Sequence, residues 1–249
     1  MIKEIYKEMI SERARLTIRR ELTRINRFFL RGGKYECNVC RRSYRKFLSH
    51  GHIIRQNAKC PYCLSLERTR VLWHYLVEEE CVRERNLSVL HFAPERGIEQ
   101  NLKKLSNIKY YSADLNPNLA DHLVDITSIP FESDTFDLVI CSHVLVEVTD
   151  EELALSEIHR VLKKGGRAII ITAILDREVT QEVSLSSKER MKRYGADICR
   201  LRGEDFYEHL QNVGFEVYEF NYHKEYSPQR ISINSLGSGN TERVFIGEK

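Results

Sequence analysis

Four cysteines in this chain are spaced to hold one metal ion. Cys37-x2-Cys40 and Cys60-x2-Cys63 are separated by 19 residues, and each CxxC forms a knuckle that turns two sulfurs toward the same point. A pair of such knuckles closes a tetrahedral four-thiolate site of the kind that holds zinc. With no coordination position left open, the ion has a structural role and stabilises the fold. His50 and His52 lie between the pairs, but four cysteines already fill the site. Cys81, Cys141 and Cys199 are scattered, so the seven cysteines do not form a disulfide framework.

Further along, reactive side chains fall where strands should end. Ala93-Pro94-Glu95-Arg96-Gly97 is a small, turn-forming loop, and the amides of the helix after it can face a ligand carboxylate. Asp114 closes a second strand, where a carboxylate can accept both hydroxyls of a ribose. Asp125 closes a short third strand and can accept from an exocyclic amine. His143 ends a fourth, and its pKa range suits a general base, with Glu147 and Asp197 as carboxylate alternatives. The bland reading of His143 is a pocket wall. Arg200 either clamps a phosphate or carboxylate bidentately or pairs internally with Asp197.

These positions require a parallel sheet. Apolar runs at 87–92, 109–114, 137–143 and 167–175 alternate with helical patterns at 98–105 and 151–162. Strand alternating with helix gives a doubly wound, mostly parallel α/β sheet. RAIIITAIL is nearly continuous in apolar residues, as only a strand covered on both faces can be. Upstream, residues 2–30 read as a helix with an apolar stripe of Ile18, Leu22, Ile25 and Phe29, and with Arg15, Arg19, Arg20, Arg24 and Arg27 on other faces. The organisation expected is a basic helix over 1–31, a zinc ribbon over 32–64, a connecting helix over 65–86 and the main domain over 87–249. An insertion at about 176–203 should cover the acceptor pocket, and 221–241 is polar enough to be a long loop.

HLVDITSIPFESDTFDLVICSHVL followed by EIHRVLKKGGRAIIIT resembles the class I S-adenosylmethionine-dependent methyltransferases, over about residues 87–220. The resemblance implies a seven-stranded Rossmann-like sheet and a cofactor site drawn from Phe92, Ala93, Glu95 and Gly97, Asp114 and Leu115, Asp125 and Ile126, and Ser142 and His143. It implies ribose binding by Asp114 and an adenine beside Asp125 and Ile126. The first loop departs from the usual acidic residue and GxGxG, keeping only Gly97; Glu95 is then the candidate acceptor for the cofactor's ammonium group. Cys37 through Ala58-Lys59-Cys60-Pro61-Tyr62-Cys63, Leu66-Glu67-Arg68 and Ala93-Pro94-Glu95 also resemble a bacterial subgroup with a CxxC...CxxC ribbon before the methyltransferase domain. Its members look like tailoring enzymes, some associated with surface glycans. An Asp-His-Val-Arg stretch of that subgroup corresponds to Asp197-Ile198-Cys199-Arg200, without the histidine; if that histidine is catalytic in the subgroup, this chain uses another base or a different acceptor.

The expected activity is methyl transfer to a polar group, most simply a hydroxyl, of a small molecule or saccharide, with His143, Asp197 and Arg200 as catalytic candidates. Two other readings compete: an RNA methyltransferase using the basic N-terminus, and a non-catalytic cofactor-binding protein. Residues 1–48 carry 14 Lys/Arg against 5 Asp/Glu, whereas 49–249 carry 25 against 31. A basic end of this kind suits RNA, an acidic partner or peripheral contact with an anionic membrane. No apolar run reaches the roughly 18 residues of a membrane helix, and no secretory signal is present, so a cytoplasmic protein is expected. Nothing in the pattern sets an oligomeric state.

Overall fold

A computed structural model describes residues 28–238 and 242–249. The basic helix expected from residue 2, with its arginines, lies up to residue 27 outside the described residues. Two hairpins come first, β1 (Arg31–Cys37) with β2 (Arg42–Tyr44) and β3 (Leu48–His50) with β4 (Arg55–Lys59). Helix α1 (Glu67–Glu78) leads from them into β5 (Leu87–Phe92), α2 (Arg96–Leu102), β6 (Ile108–Asp114) and β7 (His122–Leu123). Next come β8 (Phe136–Ser142), α3 (Glu151–Val161) and β9 (Leu162–Ala173). The pair β10 (Gln181–Glu182) and β11 (Arg200–Leu201) brackets α4 (Ser187–Tyr194), and the chain ends with α5 (Phe206–Asn212), β12 (Glu216–Glu219), α6 (Tyr222–Glu225), α7 (Pro228–Asn234) and β13 (Glu242–Glu248).

Seven strands form the main sheet in the order β12-β13-β9-β8-β5-β6-β7, and those from β5 to β9 are parallel. The order reverses at β5, with β6 and β7 on one side and β8 and β9 on the other. A crevice must therefore open beyond the carboxyl ends of β5 and β8. Each central strand feeds both faces: on β5, Val89 packs in one apolar cluster while Leu90 and Phe92 pack in the other. Asp150 caps α3 by accepting from the Leu153 amide at 3.0 Å, and Ala154, Leu155, Ile158 and Val161 bury one face of that helix.

Three expectations change. The segment 221–241 contains two short helices, the second started by the Ser227 cap with Pro228 in its first turn. The third strand ends at Leu123, and Asp125 follows it in a tight bridge to Ser128. The helix after β5 begins at Arg96, with Glu95 at the N-cap position making no capping hydrogen bond, and ends at Leu102.

The hairpins share the apolar cluster of the main sheet: Cys37, Val39, Tyr44, Phe47 and Cys60 pack with Val71, Leu72, Leu76 and Val89. Arg70 of α1 fastens this joint. Its fully buried guanidinium gives Nη1 to Ser65 O at 2.7 Å, Nη2 to Ala58 O at 3.0 Å and Ser235 O at 2.6 Å, and Nε to Asn234 O at 2.7 Å. Its plane lies over Phe47, 4.9 Å from the ring centroid. Burial lowers the pKa of Arg70, so the charge persists only because the carbonyl dipoles are fixed around it. Replacing Arg70 with methionine keeps most of the packing and strands four carbonyls; equilibrium urea unfolding should show a loss of about 3–5 kcal/mol. A loss under about 1 kcal/mol would contradict the role given to this side chain.

Candidate functional site

The four cysteines of the two knuckles meet. Cys37 Sγ lies 3.5 Å from Cys63 Sγ and Cys40 Sγ 3.7 Å from Cys60 Sγ, with all four sulfurs within 4.8 Å of one another. A tetrahedron of roughly 2.3 Å metal–sulfur bonds has edges of about 3.8 Å, so the set is compatible with one tetrahedral ion. Ser65 Oγ sits 3.2 Å from both Cys37 and Cys63 sulfurs, where a hydroxyl can donate to a thiolate. His50 and His52 are not part of the cluster. A Cβ built on Gly97 would stand 2.8 Å from Val39 Cγ1 and 3.9 Å from Cys63 Cβ, and Asn101 Nδ2 donates to Val39 O at 2.8 Å. The helix that starts at the first loop is thus seated directly on the cysteine knuckles, and Gly97 serves that contact.

Beyond β5, β6 and β8 lies a cleft of about 650 Å³, within the range of small-molecule sites. Phe92 and Ala93, Asp114 and Leu115, Asp125 and Ile126, and His143 line it, together with Glu147, Asp150 and Asp197. Five carboxylates therefore face the cleft, and no Lys or Arg is among its lining residues. Asp114 Oδ1 accepts from the Asn116 amide at 2.7 Å, which fixes the carboxylate at the strand end. Asp125 Oδ1 accepts from the Thr127 amide and hydroxyl at 2.9 and 2.7 Å, and these two bonds lower its pKa. Burial, then the charge of Asp197, raises Glu147. Leu115, 71% exposed, offers an uncovered apolar face beside the Asp114 carboxylate.

Ala93 and His143, the residues just past β5 and β8, are both left-handed, with φ of +46° and +59°. For residues with a Cβ this costs roughly 1–2 kcal/mol each, a strain typical of functional loops. At Ala93 the chain makes, without glycine, a turn into α2. At His143 the ring is turned across β9 so that Nε2 lies 2.5 Å from Glu242 Oε2 at the start of β13.

Glu95 and Ser142 lie behind the first loop and are not among the cleft-lining residues. Glu95 Oε2 is 2.9 Å from His91 Nε2, whose other nitrogen meets Tyr110 Oη at 3.0 Å. Burial would raise Glu95, but the His91 hydrogen bond and the charges of His91 and Arg68 outweigh it and lower its pKa. Glu95 Oε1, Ser142 Oγ and Arg68 Nε are buried without a well-formed hydrogen bond, although the Ser142 hydroxyl lies close enough to the Glu95 carboxylate to help lower its pKa.

Asp197 lines the cleft but is held from outside, by Arg190 Nε at 2.6 Å and Ser187 Oγ at 2.7 Å. Arg200 is not the clamp its position suggested, nor is it paired with Asp197. Its guanidinium donates to Leu145 O, Val148 O and Thr149 O at 2.7–2.9 Å and to Glu182. These bonds satisfy the carbonyl end of the short 3-10 turn Leu145–Glu147, so Arg200 anchors the insertion to the cleft wall. Buried Arg202 does the same from the next turn of chain, bonded to Glu151 and to Thr172 Oγ1. Two residues were missed from the sequence, Glu242 and Arg68. Glu242 stands 99 positions from His143, and its only signal was a lone acid heading an apolar strand.

Residues 90–170 match the model of the family described as a methyltransferase domain. Over 46 residues the chain is 52% identical to the demethylmenaquinone methyltransferase of Streptomyces avermitilis, covering 18% of this chain and 20% of that protein. Over 72 residues it is 40% identical to the ubiquinone/menaquinone biosynthesis C-methyltransferase UbiE of Haemophilus ducreyi, covering 29% and 24%. The chain thus spans between a fifth and a quarter of the length of these curated relatives. The solved structure of the (4+2)-cyclase SpnF aligns with a TM-score of 0.50 at 16% identity, over 82% of this chain and 86% of that one. The fold is that of the class I, Rossmann-like methyltransferases, a seven-stranded, mostly parallel sheet flanked by helices.

Proposed function

We propose that the chain binds S-adenosylmethionine in the cleft above β5, β6 and β8 and transfers its methyl group to a neutral polar group, a hydroxyl first, on a small molecule or saccharide. The observation that carries this reading is the charge of the cleft: five carboxylates and, among the described lining residues, no Lys or Arg, at the reversal point of the sheet. When bound, the cofactor supplies a methyl carbon made electrophilic by a sulfonium charge, and an acidic cleft complements that charge. Asp114 would take the ribose hydroxyls and Asp125 the adenine amine, with Leu115, Ile126 and Phe92 against the rings. Around the first loop, the free Glu95 Oε1 suits the ammonium group and the free Arg68 Nε suits the carboxylate of the methionine end. These two unpartnered atoms would do the work of the missing glycine loop.

The same lining favours a neutral acceptor. A phosphate at the reacting end would face carboxylates with no Lys or Arg among the described lining residues to bind it, which favours a neutral acceptor over RNA. The relative named as a C-methyltransferase of ubiquinone/menaquinone biosynthesis favours, as a second reading, a carbon acceptor. The fold alone does not choose, since one structure that shares it is named a cyclase. We assign zinc to the four cysteines, in a structural role, and no chemistry to it.

Calorimetric titration with S-adenosylhomocysteine should show one site per chain, and Asp114→Ala should weaken it about 10- to 100-fold, the worth of charge-assisted hydrogen bonds. Absence of any binding to the unaltered protein would overturn the proposal. Atomic emission should find one zinc per chain, lost in Cys60→Ser together with much of the thermal stability. A protein that keeps its full melting temperature after chelation and dialysis would remove zinc from the account.

A further inference from the structure

Glu242 plays no part in the reading above, yet its carboxylate lies 2.5 Å from Nε2 of the cleft-lining His143. The two residues come from β13 and from the end of β8, with β9 between them. Such a pair exists only because β13 runs antiparallel, which brings its first residue to the same edge of the sheet as the carboxyl ends of the parallel strands. Nothing in the packing of either strand requires an acid there. Glu242 is the first described residue after a turn-rich segment, and the apolar residues of β13 begin only with Val244.

We infer that Glu242 is a positioning residue that holds His143 as the Nε2–H tautomer, leaving the Nδ1 lone pair as the base for an acceptor O–H. A carboxylate at this distance accepts a proton from Nε2, so the remaining nitrogen must be the acceptor. His143 lines the cleft, and no hydrogen-bond partner for its Nδ1 occurs among the described residues. The left-handed backbone at His143 fixes the ring at the strand end, and Glu242 fixes its rotation. Glu242 is itself held charged: burial opposes ionisation, but the bond to His143 and the charges of His143, Arg68 and Arg55 overcome it. Arg55 is in turn tied to Glu67 at 3.0 Å. Glu147, also in the cleft lining, is the other acid whose charge interacts with His143.

The inference rests on the methyl-transfer reading and narrows the acceptor to one that must lose a proton. In that step the acceptor oxygen bonds to the methyl carbon as the carbon–sulfur bond breaks and its electron pair returns to sulfur. The hydroxyl proton passes to His143 Nδ1, and the imidazolium so formed is stabilised by Glu242. A base of this kind contributes roughly 100- to 10,000-fold to rate.

The test is nitrogen-15 NMR of imidazole-labelled protein, with His143 assigned by its loss in His143→Gln. At mildly alkaline pH, His143 should show a protonated Nε2 and an unprotonated Nδ1, and Glu242→Leu should convert this single tautomer to a mixture. An Nδ1–H tautomer in the unaltered protein, or a tautomer unchanged in Glu242→Leu, would overturn the inference. The first of these outcomes needs no variant to fold. Because the readout requires no cofactor, failure here is distinct from failure to bind S-adenosylhomocysteine.

Discussion

The buried guanidinium of Arg70 is the joint on which the arrangement depends. One side chain ties the second hairpin through Ala58, the second cysteine knuckle through Ser65 and the end of α7 through Asn234 and Ser235. A buried charge bonded only to carbonyls is stable when every donor is placed and costly when one is lost. The side-chain amides extend the same seam: Asn38 donates to Arg70 O, Asn234 to Glu36 O and Asn101 to Val39 O. The seam places the cysteine knuckles under α2 and directs α1, with Arg68, toward the first loop. A loop whose one glycine is Gly97 is thereby supported from behind.

That support explains how the cleft tolerates strain. Ala93 and His143 both hold left-handed conformations at the mouth between β5 and β8, and each is fixed by a neighbouring strand, through Ala93 N on Ala113 O and His143 N on Ile171 O. The insertion closes the other wall in a comparable way. Arg200 and Arg202 converge on Glu151 at the start of α3, so these two arginines are spent on the attachment of the segment. What remains facing the cleft is acidic, and this sets the charge of whatever enters it.

Much of this was legible in the sequence because it depends on local pattern. The alternation of apolar strands and amphipathic helices pointed to the sheet, the paired CxxC spacing brought four sulfurs together, and Asp114 at a strand end, with Asp125 and His143 just past theirs, lines one cleft. What was not legible depends on distance along the chain. Arg200 looked available because its acceptors are carbonyls of residues 145–149, which carry no sequence signal. Gly97 looked like the remnant of a phosphate- or cofactor-binding loop, whereas its missing Cβ makes room for Val39. Glu242 and His143 are joined by an antiparallel strand that local periodicity cannot register, and the helices in 221–241 are set by a Ser-Pro start within a polar stretch.

The most direct measurement is a crystal structure with S-adenosylhomocysteine bound. The account predicts the ribose on Asp114, the adenine between Leu115 and Ile126 near Asp125, the amino-acid end at Glu95 and Arg68, and the sulfur directed toward His143. Density for the ligand elsewhere, or a methionine end that leaves Glu95 and Arg68 unpaired, would contradict it.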